Sequence, residues 1–104
     1  MNSFKDRENA FENKFAHDAE MQFKADARRN KLLGQWAAGL MGLSGDAVAE
    51  YATAVIKSDF EEAGDEDVYR KVATDLGDKA DETTLRAKMA ELMAEAKSQL
   101  MDEA

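Results

Sequence analysis

No proline and no cysteine occur among the 104 residues of this chain, and there is one histidine and one tryptophan. The missing cysteine excludes a disulfide framework and thiol chemistry. A single histidine without cysteine makes a zinc site improbable, since such sites draw three or four ligands from Cys, His and carboxylates. His17, in His-Asp-Ala-Glu, reads as a solvated or lightly paired residue, and as a pH-responsive group if it lies in an interface. No long apolar run is present. Between Leu32 and Leu43 only Gln35 is polar, but this falls far short of the roughly 20 residues that span a bilayer. The N-terminus has no apolar signal region, so a cytoplasmic protein without direct membrane insertion is expected.

Basic charge is also scarce. The net charge is −8, and it is unevenly spread. Residues 1–31 carry seven Lys/Arg against six Asp/Glu, a balance of +1, and residues 32–104 carry seven against sixteen, a balance of −9. An acidic body repels phosphates, and no basic stripe with interleaved aromatics offsets it, so nucleic acid is not an expected partner.

What is present is helical usage, dominated by Ala, Glu, Lys, Leu and Met. The most apolar stretch organises the rest. Leu32, Leu33, Trp36, Ala37, Leu40 and Met41 recur at helical spacing as one face of a core helix. Gly34, Ala38 and Gly42, four apart, would let another backbone come close. Gly39, Gly42, Ser44 and Gly45 mark a turn, with Ser44 the expected N-cap of the next helix. That helix carries Val48, Tyr51, Ala52, Val55, Ile56 and Phe60 on one face. It ends in the acidic run from Asp59 to Asp67, which reads as solvated helix caps. Gly64 breaks the run, and Asp65 caps a short helix bearing Val68, Val72 and Leu76, closed by Gly77. A last helix begins near residues 81–84 and shows Leu85, Met89, Leu92, Ala96 and Leu100, with Met93 alongside. No strand-like alternation is present. The expected fold is an all-α bundle of four or five helices with short connections, a single domain over residues 1–104.

The N-terminal stretch does not continue the core face. Phe4, Phe11 and Phe15 share a narrow stripe behind Ser3, a plausible N-cap. Followed at 3.6 residues per turn, that stripe meets Asp18, Gln22, Asp26 and Arg29 before turning apolar again at Leu33. Ala16, Ala19, Phe23 and Ala27 define another stripe, rotated by about a quarter turn. The helix therefore bends or breaks near residues 17–22. Either the three phenylalanines still cover the bundle after the kink, or residues 1–19 form a separable arm that uses them on a partner.

Chemistry-bearing patterns are few. The acidic run lacks the Asp-x-Asp-x-Asp-Gly spacing and the glutamate at position twelve of a calcium loop. Arg28, Arg29 and Lys31 form a basic knot that either pairs with the acidic body or binds an anion weakly, such as a nucleotide phosphate. No Gly-x-x-x-x-Gly-Lys-Ser/Thr loop accompanies it. A lone histidine gives no nucleophile–base pair. No catalytic residue, metal or firm cofactor is expected, and the chain does not read as an enzyme.

Three runs resemble one family: Lys14-Phe-Ala-His-Asp-Ala-Glu20, Phe23-Lys-Ala-Asp-Ala-Arg-Arg-Asn-Lys-Leu-Leu-Gly-Gln-Trp-Ala-Ala38 and Asp59-Phe-Glu-Glu-Ala-Gly-Asp-Glu-Asp-Val68. Their order and spacing are similar to the zeta subunit of alphaproteobacterial F-type ATP synthases, a small inhibitor of ATP hydrolysis. The resemblance implies a four-helix bundle whose N-terminal helix enters an interface between alpha and beta subunits of the catalytic head, near gamma, and blocks rotation. It implies a monomer when free, and a location peripheral to the inner membrane through the synthase. The region concerned runs from about Ser3 to Ala19, ahead of a bundle over residues 20–104. Its expected partner contacts are Phe4, Phe11 and Phe15 in an apolar groove, Lys5, Arg7 and Lys14 at an acidic rim, and Ser3, His17 and Asp18 beside them. The alternative is a helical adaptor or nucleotide-responsive bundle without inhibitory activity.

Overall fold

The first helix among the described residues, α1, spans Ala19–Leu40 and starts where the sequence pattern breaks. Asp18 stands before it in extended backbone and accepts a hydrogen bond from the Met21 amide at 3.1 Å, capping the first turn. A computed structural model describes residues 18–59 and 64–103; residues 1–17, which hold the Phe4, Phe11, Phe15 stripe, lie outside them, as does Phe60. The break expected near residues 17–22 is thus the helix start itself.

The buried stripe of α1 is Ala25, Arg29, Leu33 and Ala37, four apart. Leu33 and Ala37 match expectation and Trp36 packs partly buried beside them. Leu40 does not, being 42% exposed, because the helix ends there and turns away. The end is a glycine-closed motif: the Leu43 amide donates to Ala38 O at 2.9 Å and the Gly42 amide to Gly39 O at 3.1 Å. Gly42 adopts φ +77°, a conformation that side chains resist. It serves the turn rather than a close helix contact. Gly34 makes the contact, since a Cβ there would lie 2.6 Å from the Cα of Ala52.

That neighbour belongs to α2, Asp46–Ser58, whose Ala52 and Val55 are buried. Ser44 does not cap it. Gly45 occupies the N-cap position at φ +61°, and no side chain bonds the first turn. Helix α3, Glu66–Leu76, buries Val68, Val72 and Leu76 and stops at Gly77, φ +58°. After a 3-10 turn at Gly77–Lys79, Asp81 caps α4, Glu82–Glu103, by accepting from the Thr84 amide at 2.7 Å. Leu85, Met89, Ala96 and Leu100 form its buried line, as their spacing predicts.

The result among the described residues is an all-α bundle of four helices without a strand. Helix α1 is its axis, packed chiefly on α2 and α4. The core divides in two. Leu33, Ala37, Val55, Val68, Val72, Leu76, Leu85 and Met89 form the main cluster. Ala25 and Leu100, with Met21, Met93 and Met101 against them, form a smaller one towards the start of α1. Cross-ties between helices are polar. Tyr51 and Lys71 both donate to Asp75 Oδ2 at 2.8 Å, joining α2 to α3. Arg86 bonds both oxygens of Glu66 and lies 3.7 Å from the Tyr69 ring centroid, joining α3 to α4.

Candidate functional site

Between the two apolar clusters lies a polar layer that the sequence pattern hid. Arg29 is 2% exposed and Asn30 fully buried, both on α1. The Arg29 guanidinium donates through Nε to Asn30 Oδ1 at 2.6 Å and through Nη2 to Asp65 Oδ1 at 2.8 Å. Asn30 Nδ2 donates to Asp59 Oδ2 at 3.1 Å. The layer explains why the α1 stripe reads polar through Asp26 and Arg29: its partners there are carboxylates, not leucines. Asp65 keeps its expected place before α3 but makes no side-chain cap, because its carboxylate is turned to Arg29.

Neither are the acidic residues all solvated caps. Asp67 is 5% exposed and pairs with Arg70, leaving Oδ2 buried without a hydrogen-bond partner among the described residues. Burial pushes the Asp26 carboxyl above its ordinary range. The Gln22 amide and the Arg29 charge oppose this, while Asp59 and Asp65 reinforce it.

The basic knot is divided. Arg28 bonds both carboxylate oxygens of Glu103, at 2.9 and 3.0 Å, and Gln99 at 2.8 Å. This ties the middle of α1 to the end of α4, and the hydrogen bond from Arg28 holds the Glu103 carboxyl below its usual range. Arg29 points into the polar layer, and Lys31 is exposed. The three do not converge on one anion site. Of the residues expected on the arm, Asp18 is the α1 cap, while Ser3, Phe4, Lys5, Arg7, Phe11, Lys14, Phe15 and His17 lie outside the described residues. Among the described residues no group of His, Asp and Glu could hold a metal ion.

An opening lies along the first half of α1. It is a groove of about 540 Å³ along the outer face of α1, walled by Met21, Phe23, Ala27, Ile56 and Leu100. A second hollow of about 180 Å³ adjoins it and shares Phe23, Ala27 and Ile56. Phe23 is 56% exposed between them. Its signal was in the sequence: Ala19, Phe23 and Ala27 form the stripe rotated from the core face. Only the placement of Ile56 and Leu100 on either side turns that stripe into a groove.

Fold and groups together define a small, acidic helical bundle with an apolar surface groove where its N-terminal segment joins. The chain belongs to the ATPase inhibitor subunit zeta family, whose model matches residues 1–99. That family is regulatory rather than catalytic. The chain is also similar to a protein whose structure was solved in solution by NMR. The two are 61% identical, the match covers 81% of this chain and 99% of that one, and the TM-score is 0.75. No curated protein matches. No described helix is long and apolar enough to cross a membrane.

Proposed function

We propose that the chain inhibits ATP hydrolysis by the catalytic head of an F-type ATP synthase, inserting its N-terminal segment at an interface between alpha and beta subunits near gamma. The observation that carries this reading is the family match itself, which begins at residue 1 and so takes in the arm with the bundle. The Asp18 cap supports it, because it starts the bundle's first helix after the Phe stripe. In this mechanism Phe4, Phe11 and Phe15 enter an apolar groove on the head, and Lys5, Arg7 and Lys14 meet acids at its rim. The acidic bundle stays outside as a bulky stop. The protein is held at the inner membrane only through the synthase.

The test is ATP hydrolysis by the purified cognate head, with the full chain and with residues 1–17 removed so that the Asp18 cap is kept. Inhibition by the full chain alone is the expected result. Burying a Phe ring is worth roughly 1.5–3 kcal/mol, so Phe11→Ala should weaken inhibition about tenfold or more. Equal inhibition by a folded Phe11→Ala, Phe15→Ala double variant would remove the arm from the mechanism. No inhibition by any form would favour an adaptor.

A further inference from the structure

We propose that the groove between Phe23, Ile56 and Leu100 is the resting berth of this chain's own residues 4–15, so that the Phe stripe is covered by the bundle when it is not engaged elsewhere. Position comes first. The segment joins the bundle at Asp18, and Met21 and Phe23, a few residues on, already line the groove. Phe15 lies three residues before Asp18 and Phe11 seven. At about 3.3–3.6 Å per extended residue, Phe15 reaches about 10 Å from Asp18, enough for the Phe23 end of the groove, and Phe11 reaches about 24 Å, enough for its whole length.

Size and shape agree. The outer face of α1 from Phe23 to Lys31 runs about 12 Å at 1.5 Å per residue, between Ile56 on α2 and Leu100 on α4. Phe11 and Phe15 on a helix stand about 6 Å apart on one face, which fits within that length. The volume of about 540 Å³ is open and apolar along its floor.

Charge supplies a third argument. The two edges differ in charge: Lys24 and Lys31, beside an Arg28 already bonded to Glu103 and with Glu20 near Lys24, edge the opening that Leu100 lines, and Asp26 and Asp59 edge the hollow on the Ile56 side. At helical spacing the Phe stripe is bipolar too, with Glu8 and Glu12 on one side and Arg7 and Lys14 on the other. A helix with that pattern can set acids against the basic edge and bases against the acidic one. A hydrophobic stripe flanked by one sign of charge could not.

The consequence for regulation rests on the function proposed above. The same phenylalanines cannot fill both this groove and one on the catalytic head. Docking on the head then has to draw on the fraction of molecules whose arm is released, and apparent affinity falls by that fraction. A berth occupied ten times as often as it is vacant would weaken inhibition about tenfold.

The chain suits a direct test. It has no cysteine and one isoleucine, Ile56. A nitroxide on Asn13→Cys in the otherwise native, isotope-labelled chain should broaden the Ile56 methyl and the Ala27 amide, and leave the Val72 and Leu76 methyls sharp. Adding Phe11→Ala and Phe15→Ala should restore the Ile56 signal. An Ile56 methyl unaffected by the label would overturn the proposal. So would broadening that appears when nitroxide-bearing chains without isotope label are mixed with isotope-labelled chains lacking nitroxide, because the occupant would then be a second copy. In the hydrolysis assay Ile56→Glu should inhibit several-fold more strongly than the native chain, and unchanged or weaker inhibition would exclude the regulatory consequence. Broadening without inhibition by any form would leave the berth standing and defeat the inhibitor reading. Inhibition without broadening would do the reverse.

Discussion

The two ends of the bundle are built by different rules. Around Leu33, Val55, Val72, Leu76 and Leu85 the interior is branched, apolar and closed, with Trp36 and the Tyr51–Asp75 and Tyr69–Arg86 pairs laid over it. Towards Asp18 and Glu103 the packing rests on Ala25, Leu100 and three methionines, beneath a buried arginine and beside a groove. Alanine and methionine specify shape less sharply than branched side chains, and methionine refills gaps readily. The closed end holds the fold; the open end has surface to offer.

The largest effects should separate the two ends. Leu33→Ala removes a fully buried side chain from the main cluster and should cost about 4 kcal/mol. Leu100→Ala, against flexible methionines, should cost about 2 kcal/mol, because its surroundings can collapse. Urea unfolding of the two variants measures both. Equal losses would abolish the distinction. Native-state hydrogen exchange sharpens it: amides of the first turns of α1 and the last turns of α4 should exchange through smaller openings than those around Leu33 and Val72.

The polar layer at the boundary should show the next effect. Arg29→Ala takes away a buried guanidinium and leaves Asn30 and the carboxylates without it, which should cost about 3 kcal/mol. Arg29→Met keeps most of the volume and needs no charge partner. It should recover at least half of that loss, since a buried ion pair is often no more stable than an apolar replacement. If thermal unfolding finds Arg29→Met as damaging as Arg29→Ala, hydrogen bonding rather than packing holds the layer.

This layer also marks where sequence reading succeeds and where it stops. The closed end is legible because its signals are local: Val68, Val72, Leu76 repeat at one spacing, and Gly77 and Asp81 punctuate it with their own backbone chemistry. The Asp18 start of α1 is legible as a change of stripe. Arg29 is not, because its burial depends on Asp65, thirty-six residues away, coming to meet it. Ser44 misleads for a similar reason. A serine before a helix is a good cap, but the chain enters α2 through Gly45 at positive φ and the hydroxyl is left out. The groove combines both cases: Phe23 and Ala27 announce a face, while Ile56 and Leu100 reach it only through the tertiary fold. The family resemblance implies an inhibitory arm and carries no signal for the groove.

The smallest expected effects are also the most discriminating, since they have opposite signs at the two ends. At the closed end burial raises the Asp75 carboxyl, but hydrogen bonds from Lys71 and Tyr51 outweigh it and the net shift is downward. A lowered folded pKa gives stability that is present above the unfolded value and lost as pH falls through the folded one. At the open end Asp26 is raised, chiefly by burial. Its ionised form therefore opposes folding, and stability is lost as pH rises through its folded pKa. At pH 7, Asp75→Asn should lower the unfolding temperature and Asp26→Asn should raise it. In the latter variant the Gln22 amide can still donate to the side-chain oxygen that remains. Both side chains are only partly buried, so each change should stay under about 1 kcal/mol. Near pH 3, below the unfolded carboxylate value of about 3.9, both differences should shrink towards zero. If Asp26→Asn instead lowers the unfolding temperature at pH 7, ionised Asp26 is a net partner of Arg29. The open end would then be held by charge as firmly as the closed end is held by its core.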